Sequence, residues 1–347
     1  MLVSALLVSG CGQVSYVARQ GWHQLRLLRA RQPVERVLRR PDLSDDWREK
    51  LVIAQLARRY GEEVLGLRQT AAYTTFLDTG GRPLAWNLSA CPKDRLQPKT
   101  WRFPLVGEVP YLGFLDENEA RLARRQLEEH GYDTELRGVN AWSSLGWFAD
   151  PLTSGMLEDN LARLSEIIFH ELTHSTIFIR GQVAFNESLA VFVGGQAALA
   201  FLRQLLGPLS PEALGYEETL RRQSRFVALL QELYGKLELL YASKLPYAEK
   251  VHQREAHFRW AQERYRQLFP DPSHWGRFAR GPLNNAVLLN YGRYNRGLRF
   301  HERVFARLGY DLPRLLVEYR AAQRYPDPIR HIAERFGVEM PLVSQRH

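Results

Sequence analysis

The feature that most constrains this chain is a pair of short runs near its middle, HELTH and FNESLA, joined by a loop. HELTH places His170 and His174 four residues apart, so both imidazoles lie on one face if the segment is helical. Apolar residues surround the motif, and the pattern predicts a buried helix from about Met156 to Ile179. Two neutral imidazoles on one helix face suit a zinc ion.

Glu171 lies beside these histidines but points in another direction. On a helix it is turned by roughly 100° from His170. Its carboxylate can therefore take a proton from water without binding the metal, which is the general-base role in a zinc hydrolase. We predict that Glu171 is catalytic and that one Zn²⁺ ion is the cofactor.

The third ligand distinguishes the classes of zinc hydrolase that share this motif. A metzincin would have glycine three residues after His174 and histidine six residues after it, but this chain has Ile177 and Arg180 there. A glutamate on a following helix is the other solution, and Glu187 occupies such a place. We expect His170, His174 and Glu187 to hold the metal and to leave a fourth position open.

The second helix is expected from about Asn186 to Leu206. Asn186 would then cap the start of this helix and orient the carboxylate of Glu187. The alternative interpretation involves no metal, because an acidic residue in a first helical turn is favoured by the helix dipole alone.

Peptide hydrolysis places further demands on such a site. Negative charge develops on the carbonyl oxygen and needs a donor. The segment PLNNAVLLNYGRYNRGLRF offers three candidates, each with packing as the alternative: Tyr291, Arg293 and Tyr294. An extended substrate also pairs with a strand edge. The segment VNAWSSLGWFADP is expected to supply that edge, or else a core strand, through Ser144, Leu145 and Gly146.

The first residues, MLVSALLVSGCGQ, combine a short apolar run with small residues before Cys11. This pattern is typical of a bacterial lipoprotein signal, in which the cysteine thiol carries the lipid. No Lys or Arg precedes Cys11, and a short buried helix is the alternative. With a signal, Cys11 is the first mature residue and is anchored in a membrane, and Gly12 favours the outer membrane, facing the periplasm. No other apolar run reaches the ~20 residues that span a bilayer.

The formal net charge of +9 is concentrated in residues 19–40, where apolar residues recur at helical spacing. Such a basic helix is either a solvated surface or a contact to anionic headgroups. Net charge without a recognised motif does not predict a nucleic-acid partner.

The distribution of apolar, polar, glycine and proline residues along the chain predicts a mostly helical α+β fold with a small mixed β-sheet beside the zinc-binding helix. A hairpin is expected around Gly80-Gly81, and a long charged helical stretch from Pro211 to Phe269. The predicted divisions are a signal segment, residues 1–10, a helical segment, 11–66, and a metallopeptidase domain, 67–347, with its sheet part in 70–148 and its helical part in 152–347.

Several longer segments together resemble the predicted zinc aminopeptidase family of bacterial lipoproteins: WRFPLVGEVPYLGFL, AWSSLGWFADPLTSGML, HELTH, FNESLAVFVGG and PLNNAVLLNYGRY. The similarity extends from SYVARQGWHQLRLLRARQPVERVL to DLPRLL. It implies a gluzincin-type metallopeptidase in which His170, His174 and Glu187 bind zinc. It also implies that Glu171 is the base and that Tyr294 is the transition-state donor.

The resemblance implies an aminopeptidase that acts on peptide or protein substrates in the cell envelope. SGMLEDN, residues 154–160, only echoes the Gly-x-Met-Glu-Asn motif with which well-known zinc aminopeptidases bind the substrate amine, and it lies too close to His170. Exopeptidase action is therefore supported less than peptidase action. The alternative is a non-catalytic, lipid-anchored envelope protein with a structural metal site, although such sites have four protein ligands and the spacing supplies three.

Overall fold

The computed structural model describes residues 27, 29–103, 107–140, 149–271 and 276–341. Within these residues the fold is the expected mostly helical α+β arrangement. The helices are α1 (Val34–Leu38), α2 (Asp45–Glu63), α3 (Glu117–Glu129), α4 (Ser154–Leu157), α5 (Leu161–Thr176), α6 (Val183–Leu206), α7 (Pro211–Ala242), α8 (Tyr247–Leu268), α9 (Gly276–Arg280), α10 (Asn285–Asn295), α11 (Leu298–Arg307), α12 (Leu312–Ala322) and α13 (Pro328–Phe336). The strands are β1 (Gln32–Pro33), β2 (Thr75–Leu77), β3 (Ala85–Cys91), β4 (Trp101–Phe103), β5 (Gly107–Val109), β6 (Leu112–Phe114), β7 (Asp133–Val139) and β8 (Leu152–Thr153).

The described strands form three small sheets. One is mixed, with β2 antiparallel to β1 and parallel to β8. A second is antiparallel, in the order β6-β3-β7, and the third is the hairpin β4-β5. The boundaries predicted at residues 10 and 66 stay predictions.

The hairpin predicted around Gly80-Gly81 is wrong. Both glycines have positive φ, 62° and 74°, and they turn the chain as expected. The strands on either side nevertheless belong to different sheets. The backbone N–H of Thr79 donates to Ser154 Oγ at 2.8 Å, which ties the turn to the start of α4. A local turn signal fixes a change of direction, but the pairing of the strands depends on distant partners.

Two predicted helices are each divided in the structure. The helix expected from Met156 to Ile179 is α4 followed by α5, because Asn160 caps the start of α5 by accepting a hydrogen bond from the N–H of Arg163. The stretch from Pro211 to Phe269 is α7 followed by α8, with the connection ending at Pro246. Proline disfavours helical backbone in the residue before it, which favours a break in the helix there.

The main core surrounds α5 and α6, and most of its members are fully buried. Tyr60 on α2, Phe169 on α5 and Phe201 on α6 form a three-ring cluster with centroid separations of 5.5 to 6.0 Å. Helix α6 has the length and hydropathy of a membrane span, so the expectation that no such run follows the N-terminus is wrong. Of its most apolar window, 67% is buried inside the protein, as befits a central core helix.

A second core joins α7, α8, α9 and α10. The start of α10 is held against the antiparallel sheet, where Asn284 donates from Nδ2 to the carbonyl of Thr134 at 3.0 Å. Asp133 accepts a hydrogen bond from the N–H of Asn285 at 3.0 Å. These bonds place α10 between the sheet and the core helices, opposite the histidines of α5.

Candidate metal centre

Three potential metal ligands converge between α5 and α6. His170 Nε2 and His174 Nε2 are 3.1 Å apart. Glu187 Oε2 lies 3.4 Å from the first of these nitrogens and 3.5 Å from the second. All three side chains are largely buried, with exposed fractions of 15%, 6% and 13%. Within the described part of the chain, these are the residues that could hold a metal ion.

The triangle formed by these atoms fits zinc. Zinc bonds to imidazole nitrogen and carboxylate oxygen measure ~2.0–2.1 Å, so two ligands of a tetrahedral ion lie roughly 3.3 Å apart. The three separations of 3.1, 3.4 and 3.5 Å agree with that edge length. Three ligands of a tetrahedral site leave one position for water or substrate, which is the arrangement of catalytic rather than structural zinc.

Close contact between α5 and α6 sets this spacing. A Cβ on Gly194 would lie 2.9 Å from the carbonyl oxygen of Glu166 and 3.3 Å from the N–H nitrogen of His170. The two helix backbones therefore touch one turn before the HELTH histidines and two turns after Glu187. No larger residue allows this approach without separation of the helices.

The predicted role of Asn186 as a helix cap is wrong. Helix α6 begins at Val183, so Asn186 lies within it, and Glu187 lies beyond the first turn. The side chain of Asn186 instead accepts from the N–H of Ile179 at 2.9 Å and donates to its carbonyl at 2.8 Å. It closes the loop between the two helices and satisfies backbone groups that would otherwise be buried without partners.

Electrostatics favour a charged Glu187 next to the histidines. Burial opposes ionisation of this carboxyl, but His174 and His170 outweigh it and hold its pKa well below the usual value. Burial likewise opposes protonation of His174, and Glu187 outweighs it, so that the pKa of His174 is raised. The carboxylate thus provides the negative charge that a divalent cation requires.

Glu171 is the neighbour of His170 on α5, and its Oε2 is buried without a hydrogen-bond partner among the described residues. His174 Nδ1 is also buried and without such a partner. Buried polar atoms are rarely left unpaired unless a site binds something, such as water. A carboxylate with an unused acceptor beside the metal ligands suits a proton-accepting role.

Of the candidate donors on α10, Tyr294 has a ring contact with one of the ligand histidines. Its ring centroid lies 6.5 Å from that of His170. Burial, followed by the charge of Glu187, raises the pKa of Tyr294, so the phenol is protonated at neutral pH. Tyr291 lies in the second core, where its ring contacts Phe226 and Phe278 at 5.5 Å.

Two residues near the centre, Arg137 and Tyr111, were missed by the sequence reasoning. The guanidinium carbon of Arg137, on β7, lies 5.7 Å from the ring centroid of Tyr294. Arg293 is similarly placed 4.9 Å from the ring of Tyr111, and burial and then Glu187 raise the pKa of that phenol. Tyr111 lies within the quoted segment WRFPLVGEVPYLGFL, but no spacing in that segment relates it to the histidines.

Other predicted site residues lie outside the described residues. These are the proposed substrate-edge residues Ser144, Leu145 and Gly146, and the proposed lipidation site Cys11. The role of each stays a prediction.

Comparison with known proteins gives one match. The model of a family described as "Putative aminopeptidase" matches residues 15–333, which is most of the chain. No curated protein and no solved structure matches the chain.

Proposed function

The chain belongs to the putative aminopeptidase family, and on that premise we propose that it is a zinc-dependent, gluzincin-type peptidase. The family supports peptidase function in general, and the dependence on zinc is our inference. The observation that carries it is the triangle of His170, His174 and Glu187, whose edges of 3.1, 3.4 and 3.5 Å match those of tetrahedral zinc ligands.

Each residue has a defined task in this proposal. His170, His174 and Glu187 hold one Zn²⁺ ion, which when bound supplies a Lewis acid that polarises a carbonyl and acidifies water. Glu171 accepts the proton of the attacking water on its carboxylate and passes it to the leaving amine. The hydroxyl of Tyr294 donates a hydrogen bond to the oxygen on which negative charge develops.

We also propose that the chain acts in the cell envelope, held in the outer membrane by a lipid on Cys11 and facing the periplasm. The support is the sequence alone, through the apolar run and the small residues before Cys11. Mass spectrometry of Cys11 peptides from the native host tests this, since a diacylglyceryl adduct is expected and an unmodified thiol in a longer chain contradicts it.

The central experiment separates metal binding from turnover. Purified protein loaded with zinc is incubated with a mixed peptide library, and new termini are identified by mass spectrometry. Glu171→Gln is expected to retain one zinc per chain by elemental analysis and to lose roughly 10²–10⁴-fold in rate, the usual contribution of a general base. His174→Ala is expected to lose the metal itself.

The matched control is Glu129→Gln, because Glu129 is an exposed glutamate at the end of α3, far from the histidines. It should retain both zinc and activity. Turnover by Glu171→Gln at the wild-type rate would exclude the proposed base. Stoichiometric zinc in a wild-type protein that cleaves no peptide would instead indicate the non-catalytic alternative with a structural metal.

A further inference from the structure

The wall opposite the metal ligands is rich in arginine. It is formed by β7, α9 and α10, and its cations are Arg137, Arg277 and Arg293. Arg137 lies over the ring of Tyr294 at 5.7 Å, and the same ring lies 6.5 Å from His170. Arg293 lies over Tyr111 at 4.9 Å, and the charge of Glu187 acts on the same phenol. Two guanidinium groups therefore face the candidate metal centre across a single layer of tyrosine rings.

Within this wall the arginines outnumber the acidic residues that the structure describes. Glu135 is the acidic residue among these cations, and Arg137, Arg277 and Arg293 all act on it. Burial outweighs them and raises the pKa of Glu135. Neither Arg137 nor Arg293 forms an ion pair within the part of the chain that the structure describes, although other arginines do.

Arg293 is the buried cation of this wall, with an exposed fraction of 8%. Its Nη1 donates to Asn290 Oδ1 at 3.3 Å, which is a neutral acceptor. A buried guanidinium is unfavourable unless an anion pairs with it. The ring of Tyr111, 4.9 Å from the guanidinium carbon, attracts the cation but supplies no anion.

We infer that this wall binds a carboxylate of the substrate, so that preferred substrates are peptides that carry a carboxylate close to the scissile bond. This inference rests on the proposed peptidase function. Arginine presents a planar fork of N–H donors that matches a carboxylate, and stacking on Tyr294 and Tyr111 orients that fork. Since an extended residue spans ~3.3–3.6 Å, the carboxylate would lie within roughly three residues of the bond that is cleaved.

The same charges make this wall unsuitable for a substrate α-amine. An ammonium group would meet Glu135 together with three guanidinium groups. Repulsion between like charges at such short range disfavours binding. The carboxylate has two possible sources, the free C-terminus of a short peptide or an acidic side chain, and both present the same chemistry to Arg137 and Arg293.

Binding to the zinc-loaded Glu171→Gln protein tests the inference without any need for turnover. Four fluorescently labelled tetrapeptides of otherwise identical sequence are compared by anisotropy: a free acid and its amide, and two amides that carry Glu or Gln next to the central bond. We expect at least one carboxylate peptide to bind roughly 10- to 100-fold more tightly than its neutral partner, as for hydrogen bonds to charged groups. Preference for the free acid indicates the C-terminus, and preference for Glu over Gln indicates a side chain.

Variants then assign the preference to the wall. Arg137→Gln and Arg293→Gln, each made in the Glu171→Gln background, should bind acid and neutral peptides with similar affinity, and Arg137→Lys should restore part of the preference. Arg299→Gln, an exposed arginine of α11, is the matched control and should keep it. Zinc content and circular dichroism confirm that each variant is folded.

Two results would overturn the inference. One is equal binding of acid and neutral peptides by the zinc-loaded Glu171→Gln protein. This result would refute the inference without any arginine variant. The other is a preference that survives in both folded arginine variants. Cleavage of library peptides by the wild type addresses the proposed function separately, because a peptidase without carboxylate preference would retain that function and refute only the cationic subsite.

Discussion

Seven buried side-chain polar atoms lack a hydrogen-bond partner among the described residues, and they include Glu171 Oε2, His174 Nδ1 and the hydroxyl of Tyr73. The first two belong to the candidate metal centre. Tyr73 belongs to the core, with an exposed fraction of 1%, and has a positive φ of 65°. Tyr319 is equally buried but hydrogen bonded, so the two tyrosines form a matched pair for measuring what such a partner contributes.

Tyr73→Phe and Tyr319→Phe each remove one buried hydroxyl. Tyr73→Phe is expected to leave the free energy of unfolding unchanged or up to ~1 kcal/mol higher, because no hydrogen bond is lost. Tyr319→Phe removes the donor to His301 Nδ1, 2.9 Å away, and is expected to lower that free energy by about 1–3 kcal/mol. Urea unfolding at pH 7 measures both, and equal losses would contradict the assignment of Tyr73 as unpaired.

His301 is fully buried and makes the stability of this protein depend on pH. Ser188 Oγ donates to the carbonyl of Phe185 and so accepts from His301 Nε2, while Nδ1 accepts from Tyr319. Burial lowers the pKa of His301 to about 3. The unfolded chain therefore binds a proton below pH ~6.5 that the native protein does not bind, and stability is lost as the pH falls from there towards 3.

His301→Gln removes this titration and retains a donor and an acceptor. Between pH 7 and pH 5 the free energy of unfolding of the wild type is expected to fall by roughly 2 kcal/mol more than that of the variant. Urea unfolding at both pH values, with EDTA present so that metal binding adds nothing, measures the difference. Parallel pH dependences would show that His301 is protonated without loss of structure.

At the scale of helices, the spacing of the metal ligands depends on how closely α5 and α6 approach. Gly194→Ala places a Cβ 2.9 Å from the backbone oxygen of Glu166, which cannot move independently of its helix. We expect this substitution to lower the free energy of unfolding by about 1–3 kcal/mol, as overpacking does. Zinc affinity, measured by competition with a chromogenic chelator, should fall at least ~10-fold, because the displacement separates Glu187 from the histidines.

Gly235→Ala is the control for this prediction. Gly235 lies in the middle of α7, and a Cβ there would meet nothing within 4 Å. The substitution should leave zinc affinity unchanged and raise stability by roughly 0.5–1 kcal/mol, because alanine favours helix over glycine. Unchanged zinc affinity in Gly194→Ala would show that the helix contact does not determine the ligand spacing.

Across the whole molecule, one buried ion pair joins elements far apart in the chain. Arg254 on α8 donates from Nη1 to Asp133 Oδ2 at 2.6 Å and from Nη2 to Oδ1 at 3.2 Å. Both side chains are 6% exposed. Asp133 also accepts from the N–H of Asn285, so the sheet, α8 and α10 meet at one carboxylate. The position of Tyr294 relative to the histidines depends on this junction.

Asp133→Asn is expected to lower the free energy of unfolding by about 3–5 kcal/mol, because it leaves the buried guanidinium of Arg254 without its anion. Glu339→Gln removes an acid from an exposed pair with Arg303 and should change that free energy by less than ~1 kcal/mol. Urea unfolding measures both variants. Similar small effects would show that the buried pair contributes little to the junction.

Much of the local structure could be predicted from the sequence, because it depends on residues close together in the chain. Ser44, directly before two aspartates, caps α2 by accepting from the N–H of Trp47, and Gly131 follows the end of α3 with positive φ. The mostly helical α+β class is also confirmed. The spacing of His170 and His174 on one helix face is likewise a local property.

The predictions of a cap and of a hairpin were wrong because the residues satisfy a local rule but form their hydrogen bonds elsewhere in the structure. Asn186 is a good capping residue by type, yet its side chain closes the loop at Ile179 instead. Gly80 and Gly81 form a turn, but β2 pairs with β8, whose residues lie more than seventy positions further along the chain. In both cases hydrogen bonds outside the local pattern, seven residues away for Asn186 and between β2 and β8 for the turn, outweigh the local preference.

The sequence by itself determined the candidate ligands, His170, His174 and Glu187, and the candidate base, because both helices and their loop lie within one short segment. Only the tertiary structure decided what faces them. Tyr294 and Arg137 reach the centre from a helix and a strand that are separated from it in sequence and held by Asp133 and Asn284. Their approach depends on packing and buried hydrogen bonds between distant elements, which no spacing in a single sequence encodes.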